Sequence, residues 1–281
     1  MSGIENYKKC TGVVTENPWA SLRKFTNARI ALGRAGVSLP TKHLLDFQLA
    51  HARAKDAVYS PLSLDSLLPQ FAKQAWPSPP LVLHSRAQNR AQYLQRPDYG
   101  RRLDGESRRQ IQAHMSQHPD TRSADLAIVI ADGLSATGIM KNAAIFLEYL
   151  GLLLKDSQPS WSLAPLCIVQ QGRVAAGDEV AELLQAKCLL MLIGERPGLS
   201  SPDSMGAYLT WAPKVGVSDA QRNCISNIRA EGIQWRDAAA KAFYLLTEAR
   251  HRELSGVALK DRSVNGLTEI EGGSVGIPQS I

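Results

Sequence analysis

Two apolar runs, residues 166–169 and 188–193, flank a segment in which Val180, Leu183 and Leu184 recur at i, i+3 and i+4. That spacing is the period of a helix lying on a core, and two apolar runs joined by one short helix predict a parallel β-α-β unit. The first run ends in Gln170-Gln171-Gly172-Arg173 and the second in Gly194-Glu195-Arg196-Pro197-Gly198. An earlier copy of the pattern, residues 125–131, runs into Asp132-Gly133-Leu134-Ser135. Ligands of open α/β sheets sit beyond the carboxyl ends of the strands. Three polar, Gly-rich loops therefore converge on one candidate site that includes Asp132, Ser135, Arg173 and Glu195. Ser135 reads first as the cap of the following helix and second as a direct ligand.

On the amino-terminal side, Pro18 followed by Trp19, Leu22, Phe25 and Ile30 predicts a helix closed by Gly33-Arg34-Ala35-Gly36. Thr41 is expected to cap a second helix carrying Leu44, Leu45, Phe47 and Leu49. Five prolines between residues 59 and 83 predict loop and short turns. The stretch RPDYGRRL, residues 96–103, is too rich in Arg, Pro and Gly for regular structure. It reads either as a tight surface turn or as a loop reaching toward the site or a partner. A polar helix is expected over 104–118, and the sheet from Asp125. Residues 143–154, interrupted by Glu148, read as a buried helix. A further apolar run over 205–212 leads by a loop to Cys224. The last helix runs from about Trp235 to Leu254, with Ala238, Ala242, Leu245, Leu246 and Ala249 on one face. The layout is a helical N-terminal portion (1–103, with a loose lead-in over 1–18), an α/β domain with a β-α-β-α-β core (104–262) and a loose tail (263–281).

Composition narrows the function classes. With 44% hydrophobic and 21% charged residues, the chain has the make-up of an ordinary soluble protein. No uninterrupted apolar run approaches the ~20 residues that span a bilayer, and the first ten residues lack a secretory apolar segment. Cys10, Cys167, Cys188 and Cys224 show no C-x-x-C spacing and are expected as reduced thiols. The six histidines form no metal-ligand motif; His114 and His118, at i and i+4 in a polar helix, read as a solvated face. The net charge of +6 is uneven: residues 1–120 hold 17 Lys and Arg against 9 Asp and Glu. The basic residues are scattered, with few aromatics between them and no nucleic-acid motif, so no nucleic-acid partner is predicted.

Known enzyme motifs are missing too. The turn A-D-G-L-S-A-T-G lacks the first glycine pair of G-x-G-x-x-G, and there is no Walker A sequence. Asp132-Gly-Leu-Ser135 is not the G-x-S-x-G elbow of a hydrolase. Glu195 is costly to bury unpaired, so an ion pair with Arg196 or Arg222 is its plain reading. Cys224 has no histidine near it in sequence to act as a base, which favours packing or contact over nucleophilic attack.

Together, DLAIVIADGLSA, QGRVAAGDEVAELL, LIGERPGLSSPDSMGAYL and RNCISNI, with RPDYGRRL and the ENPW opening, closely resemble the small (light) subunit of ethanolamine ammonia-lyase over residues 16 to 260. The resemblance implies a Rossmann-like parallel sheet with helices on both faces. It implies the cofactor-binding subunit of a lyase that converts ethanolamine to acetaldehyde and ammonia with adenosylcobalamin. It places the substrate in a TIM-barrel large subunit and the cobalamin at the interface. In the family, the Val after Gly-Arg, the Glu of GERPG and the Cys of NCISNI touch the cobalamin: Val174, Glu195 and Cys224 here. Arg173, Asp132 and Ser135, on the same loops, complete the candidate cofactor-binding set. No catalytic acid or base and no metal ligand are expected in this chain. No histidine lies in a D-x-H-x-x-G context, which implies base-on cobalamin. The resemblance implies a cytoplasmic protein. Family members enclosed in bacterial microcompartments carry a longer N-terminal extension than the lead-in before Pro18. The competing class is a stand-alone α/β enzyme using Glu195 and Cys224.

Overall fold

The computed structural model describes residues 13–72, 76, 78–119 and 123–263, so the lead-in before residue 13, with Cys10, and the tail beyond residue 263 lie outside the described residues. The chain divides into two compact units. One takes the residues up to Asp56 together with Gly198–Pro202; the other takes Ala57–Pro197 and the residues from Asp203 onward.

In the first unit the helix expected from Pro18 is a 3₁₀ helix, Pro18–Lys24, whose cap Asn17 accepts a hydrogen bond from the Trp19 N–H at 2.9 Å. It stops before Ile30 because none of its residues is buried and no packed face holds it. Gly33-Arg34 closes no helix; Arg34 pairs as an isolated bridge with Thr15. α1, Thr41–Tyr59, comes next, with Thr41 as its first helical residue rather than its cap; its last three residues, from Ala57, belong to the second unit.

The second unit is built on a six-stranded sheet: β1 Leu81–His84, β2 Leu126–Ala131, β3 Cys167–Gln170, β4 Cys188–Gly194, β5 Met205–Trp211 and β6 Arg222–Ile228. Their order is β1-β3-β2-β4-β5-β6. β1 to β4 run parallel, and every residue of β2 and β4 is buried, as expected for strands covered on both faces. β5 and β6 are antiparallel, which departs from a wholly parallel sheet. The cause is connection length: residues 195–204 and 212–221 are too short for the crossover that a parallel neighbour requires.

Two further expectations give way. The sheet begins at β1, not at Asp125. The proline-rich stretch before it includes α2, Leu64–Phe71, capped by Ser63 and holding Leu67 and Phe71 in the core. Four strand residues behind Pro79-Pro80 carry too short an apolar signal to stand out, and burial of α2's apolar face outweighs Pro69. RPDYGRRL also holds regular structure, α4, Pro97–Gly100, directly after α3, Arg90–Gln95, because Pro97 occupies a first-turn position where its missing N–H costs nothing.

The remaining helices cover both faces of the sheet. α6, Ala136–Lys155, and α8, Trp235–Arg252, pack with α2 over Leu126, Ile128, Ile130, Leu190 and Leu192. α5, Gly105–Gln117, and α7, Val174–Leu183, pack over Ala127, Val129, Val169, Leu189 and Met191. α6 is long and apolar enough by composition to cross a membrane, but Ile139, Phe146, Leu147 and Leu150 are buried within the protein. Burial raises the Cys167 and Cys188 thiols to about 12, as for two small core hydrophobes.

Candidate functional site

From β2 the chain passes through α6 on one face to β3. From β3 it passes through α7 on the other face to β4, on the far side of β2. The direction thus reverses at the carboxyl ends of β2 and β3, the position where open α/β sheets bind ligands. Gly133, at φ +57°, and Gly194 bring the loops after β2 and β4 into backbone contact: Leu134 N–H donates to Gly194 O at 2.9 Å. A Cβ on either glycine would overlap the other loop's backbone.

The half of the site over β2 and β3 is sealed from within. Asp132, 2% exposed, accepts the Gly172 N–H at 3.1 Å. Arg90 of α3 donates to Gly133 O at 2.8 Å and to Val58 O at 2.6 Å, and lies 3.7 Å from the Asp132 carboxylate. Tyr93, buried, donates to Gly172 O at 3.3 Å, and the guanidiniums of Arg90 and Arg173 lie 4.7 and 4.5 Å from its ring centre. Arg173 also donates to Tyr93 O at 3.0 Å. Burial raises the Asp132 carboxyl to about 6 against the pull of Arg90 and three backbone N–H groups. It raises the Tyr93 phenol to about 12, with the Asp132 charge adding to the effect.

The RPDYGRRL segment is exposed over Arg96–Asp98 and turns inward at Gly100 and Leu103. Arg102 donates twice to the buried Glu179 of α7, at 2.9 and 3.1 Å, Arg108 donates at 2.7 Å, and the Leu103 N–H adds a fourth bond. Burial pushes the Glu179 carboxyl up, but the two guanidiniums outweigh it and hold the group below the usual range. These bonds fix the helix on which Val174 stands.

Over β4, β5 and β6 the site is open. Glu195, half-buried, accepts hydrogen bonds from the Ser226 hydroxyl and, at 3.1 Å, from the Asn227 N–H. Its carboxylate lies over Gly206, where a Cβ would stand 3.0 Å from Oε1 and 3.3 Å from Tyr208 Cε2. In the strand register Tyr208 sits opposite Cys224, whose side chain is exposed. Tyr208 and Val174 pack against the same core cluster, and Val174 is the first residue of α7. Desolvation raises the Cys224 thiol, more than the hydrogen bond with Tyr208 lowers it, and Glu195 adds to the rise. A raised thiol is the opposite of what a nucleophile needs.

A buried ion pair ties α7 to β6. Arg222 donates to Asp178 at 2.6 Å and to Thr210 Oγ1 at 3.1 Å, with Asp219 at 3.2 Å. Burial pushes the Asp178 carboxyl up and Arg222 opposes it. The ion pairs expected of Glu195 with Arg196 or Arg222 are not formed: Arg222 belongs to Asp178, and hydroxyl and backbone donors satisfy Glu195.

Of the six residues singled out from sequence, Glu195 and Cys224 lie in the open half, and Val174 heads α7 directly after the sealed Gln171–Arg173 turn. Asp132 and Arg173 are engaged in the sealed half, and Ser135, fully buried, caps α6 through a 3.1 Å bond from the Gly138 N–H. Cys224 lies in β6 rather than after a loop. Reading by apolar runs missed this strand because exposed Cys224, Ser226 and Asn227 are interspersed with buried Ile225 and Ile228. It also missed Arg90, Tyr93, Gly206, Tyr208 and Ser226. The period-2 alternation of Gly206 and Tyr208 against Ala207 and Leu209 was the available signal for the β5 pair. Among the described residues, no three His, Cys, Asp or Glu side chains cluster as metal ligands.

The profile of the ethanolamine ammonia-lyase light chain matches residues 16–260. The chain is 51% identical over 265 residues to the ethanolamine ammonia-lyase small subunit of Xanthomonas campestris pv. campestris (strain B100), covering 93% of this chain and 94% of that one. It is 51% identical over 256 residues to the protein of the same name from Ralstonia nicotianae, covering 91% and 93%. The small subunit of Pseudomonas aeruginosa (strain LESB58) matches at 51% over 258 residues, covering 92% of each.

Proposed function

The chain belongs to the ethanolamine ammonia-lyase light-chain family, and from that premise we propose that it holds adenosylcobalamin for a large subunit that binds ethanolamine. The large subunit, which we take to be a TIM barrel, carries the reaction to acetaldehyde and ammonia. When bound, the cofactor supplies a cobalt–carbon bond that breaks homolytically, and with it radical chemistry. The residues of this chain bind and orient.

The open half fits such a group by its donor set. The rim of a corrin ring carries amide groups and methyls. Glu195 presents carboxylate lone pairs to amide N–H groups while Ser226 and Asn227 hold it in place. Cys224 and Tyr208 flank it, and Val174 supplies apolar contact at the head of α7. Gly206 leaves the space that Glu195 fills. In this reading the sheet is Rossmann-like, residues 104–262 form the cofactor domain, and the cobalamin is base-on, no histidine of this chain ligating cobalt. The reading also makes the protein cytoplasmic.

The observation that carries the reading is Glu195, a fixed carboxylate on an open face with no cation partner among the described residues. The test is cobalamin retention, followed by its absorbance, for this chain alone, the large subunit alone and the two together. Acetaldehyde formation from ethanolamine is measured in parallel. Retention and turnover in the mixture are expected. Glu195→Gln in the mixture should weaken retention about tenfold, the scale of one hydrogen bond to a charged group, with the folded state unchanged. Unchanged affinity would overturn the assignment, and turnover by this chain alone would overturn the subunit role.

A further inference from the structure

We propose that Arg90 is a positioning residue of the cofactor site: with the buried Asp132 it fixes the Gln171–Val174 turn, and so the place at which Val174 meets the cofactor. The inference rests on the function proposed above.

Arg90 joins three separate parts of the chain that no secondary-structure ladder ties at this point. Its Nε donates to Val58 O near the end of α1, at 2.6 Å. Its Nη1 donates to Gly133 O after β2, at 2.8 Å, and to Gln171 Oε1 after β3, at 3.4 Å. Asp132 completes the link by accepting the Gly172 N–H, two residues ahead of Val174. Tyr93, one helical turn from Arg90, donates to the carbonyl of that same Gly172. The turn is thus held at both backbone groups of one residue, Gly172, and Gln171 keeps a left-handed φ of +53° within it. A planar guanidinium can serve carbonyls from several directions at once, which the single nitrogen of a lysine cannot.

The protonation of Asp132 gives this arrangement a signature. Arg90 and Tyr93 of α3 face it, with the N–H groups of Gly133, Gln171 and Gly172, and Arg173 lies on Tyr93 in turn. Burial places the folded-state carboxyl at about 6, above the ordinary 3.8. The folded state therefore binds the proton more tightly than the unfolded one. The associated stability is full below the ordinary value and is lost as pH rises through about 6. At neutral pH an ionised Asp132 costs the fold stability, and a side chain kept at such a cost points to a role other than stability.

The experiment uses the complex with the large subunit and reads cobalamin affinity by absorbance between pH 5.5 and 7.5, with the melting temperature alongside. In the unsubstituted complex, affinity should fall severalfold as pH drops through about 6. Asp132→Asn keeps an acceptor for the Gly172 N–H but neither charge nor titration. It should melt higher at pH 7.5, bind cobalamin three- to tenfold more weakly there, and show no pH dependence across this range. Arg90→Lys keeps the charge and should lose a similar factor in affinity. If both variants bind as the unsubstituted complex does, with the same pH profile, while Glu195→Gln is weakened, the positioning role is overturned and the proposed function stands. A lower melting temperature for Asp132→Asn with unchanged affinity would also overturn it, leaving Asp132 a purely structural residue. If neither the unsubstituted complex nor any variant retains cobalamin, the proposed function itself fails, and this inference with it.

Discussion

Asp132 and Glu195 stand just past neighbouring strands, β2 and β4, with Ala131 and Ile193 paired in register before them. Asp132 is 2% exposed and faces Arg90, Tyr93 and the backbone of the next loop. Glu195 is half-buried, and its carboxylate accepts from the Ser226 hydroxyl and the Asn227 N–H of β6. The difference arises from the chain's path around each carboxylate. After β3 the chain enters α7 through the Gln171–Arg173 turn, whose Gly172 bonds Asp132 and Tyr93 and whose Arg173 N–H donates to Gly100 O. After β4 it turns back as an antiparallel hairpin and leaves a face of β5 and β6 open. On the function proposed above, the same side-chain chemistry is divided between orienting the site and touching the group that binds there.

Cutting the link between the two halves should have the largest effect. Arg222→Ala leaves Asp178 as an uncompensated buried carboxylate between α7 and β6 and should cost about 3–5 kcal/mol in denaturant unfolding. Loss of less than about 1 kcal/mol would mean that α7 is held by packing alone. Gly206→Ala acts on the open half only. The new methyl would press on Glu195 at 3.0 Å, and cobalamin affinity should fall severalfold while stability changes by less than about 1 kcal/mol. The smallest effect is expected for Cys224→Ala, whose exposed side chain should be worth no more than about 0.5 kcal/mol to the fold and about a factor of two in affinity. A loss of turnover in that variant beyond its loss of affinity would assign the thiol a chemical role.

Much of the core could be read from the sequence because its signals are local. β2, β3 and β4 stood out as apolar runs, and α7 and α8 by periodicity. The 3₁₀ helix from Pro18 had an apolar pattern with nothing to pack on, so the pattern over-predicted its length. β1 and β6 escaped for the opposite reason. Each is stabilised by its neighbour, β1 by β3, distant in sequence, and β6 by the preceding β5, rather than by its own composition. At the site, Glu195 and Cys224 could be picked out as residue types unusual in their local setting. Arg90 could not, because nothing near residue 90 announces Gly133 and Gln171 as its partners.

By itself, then, the sequence determined which segments are buried, which loops gather at the strand ends, and the family to which the chain belongs. Apolar period, turn residues and motif order are all written within short windows. Tertiary structure alone decided that Arg222 answers Asp178 rather than Glu195, and that Asp132 is sealed while Glu195 is open. Those outcomes depend on the distance to groups 40 or more residues away in the chain. Burial, and with it the desolvation that sets a carboxylate's role, belongs to the packed neighbourhood and not to the residue.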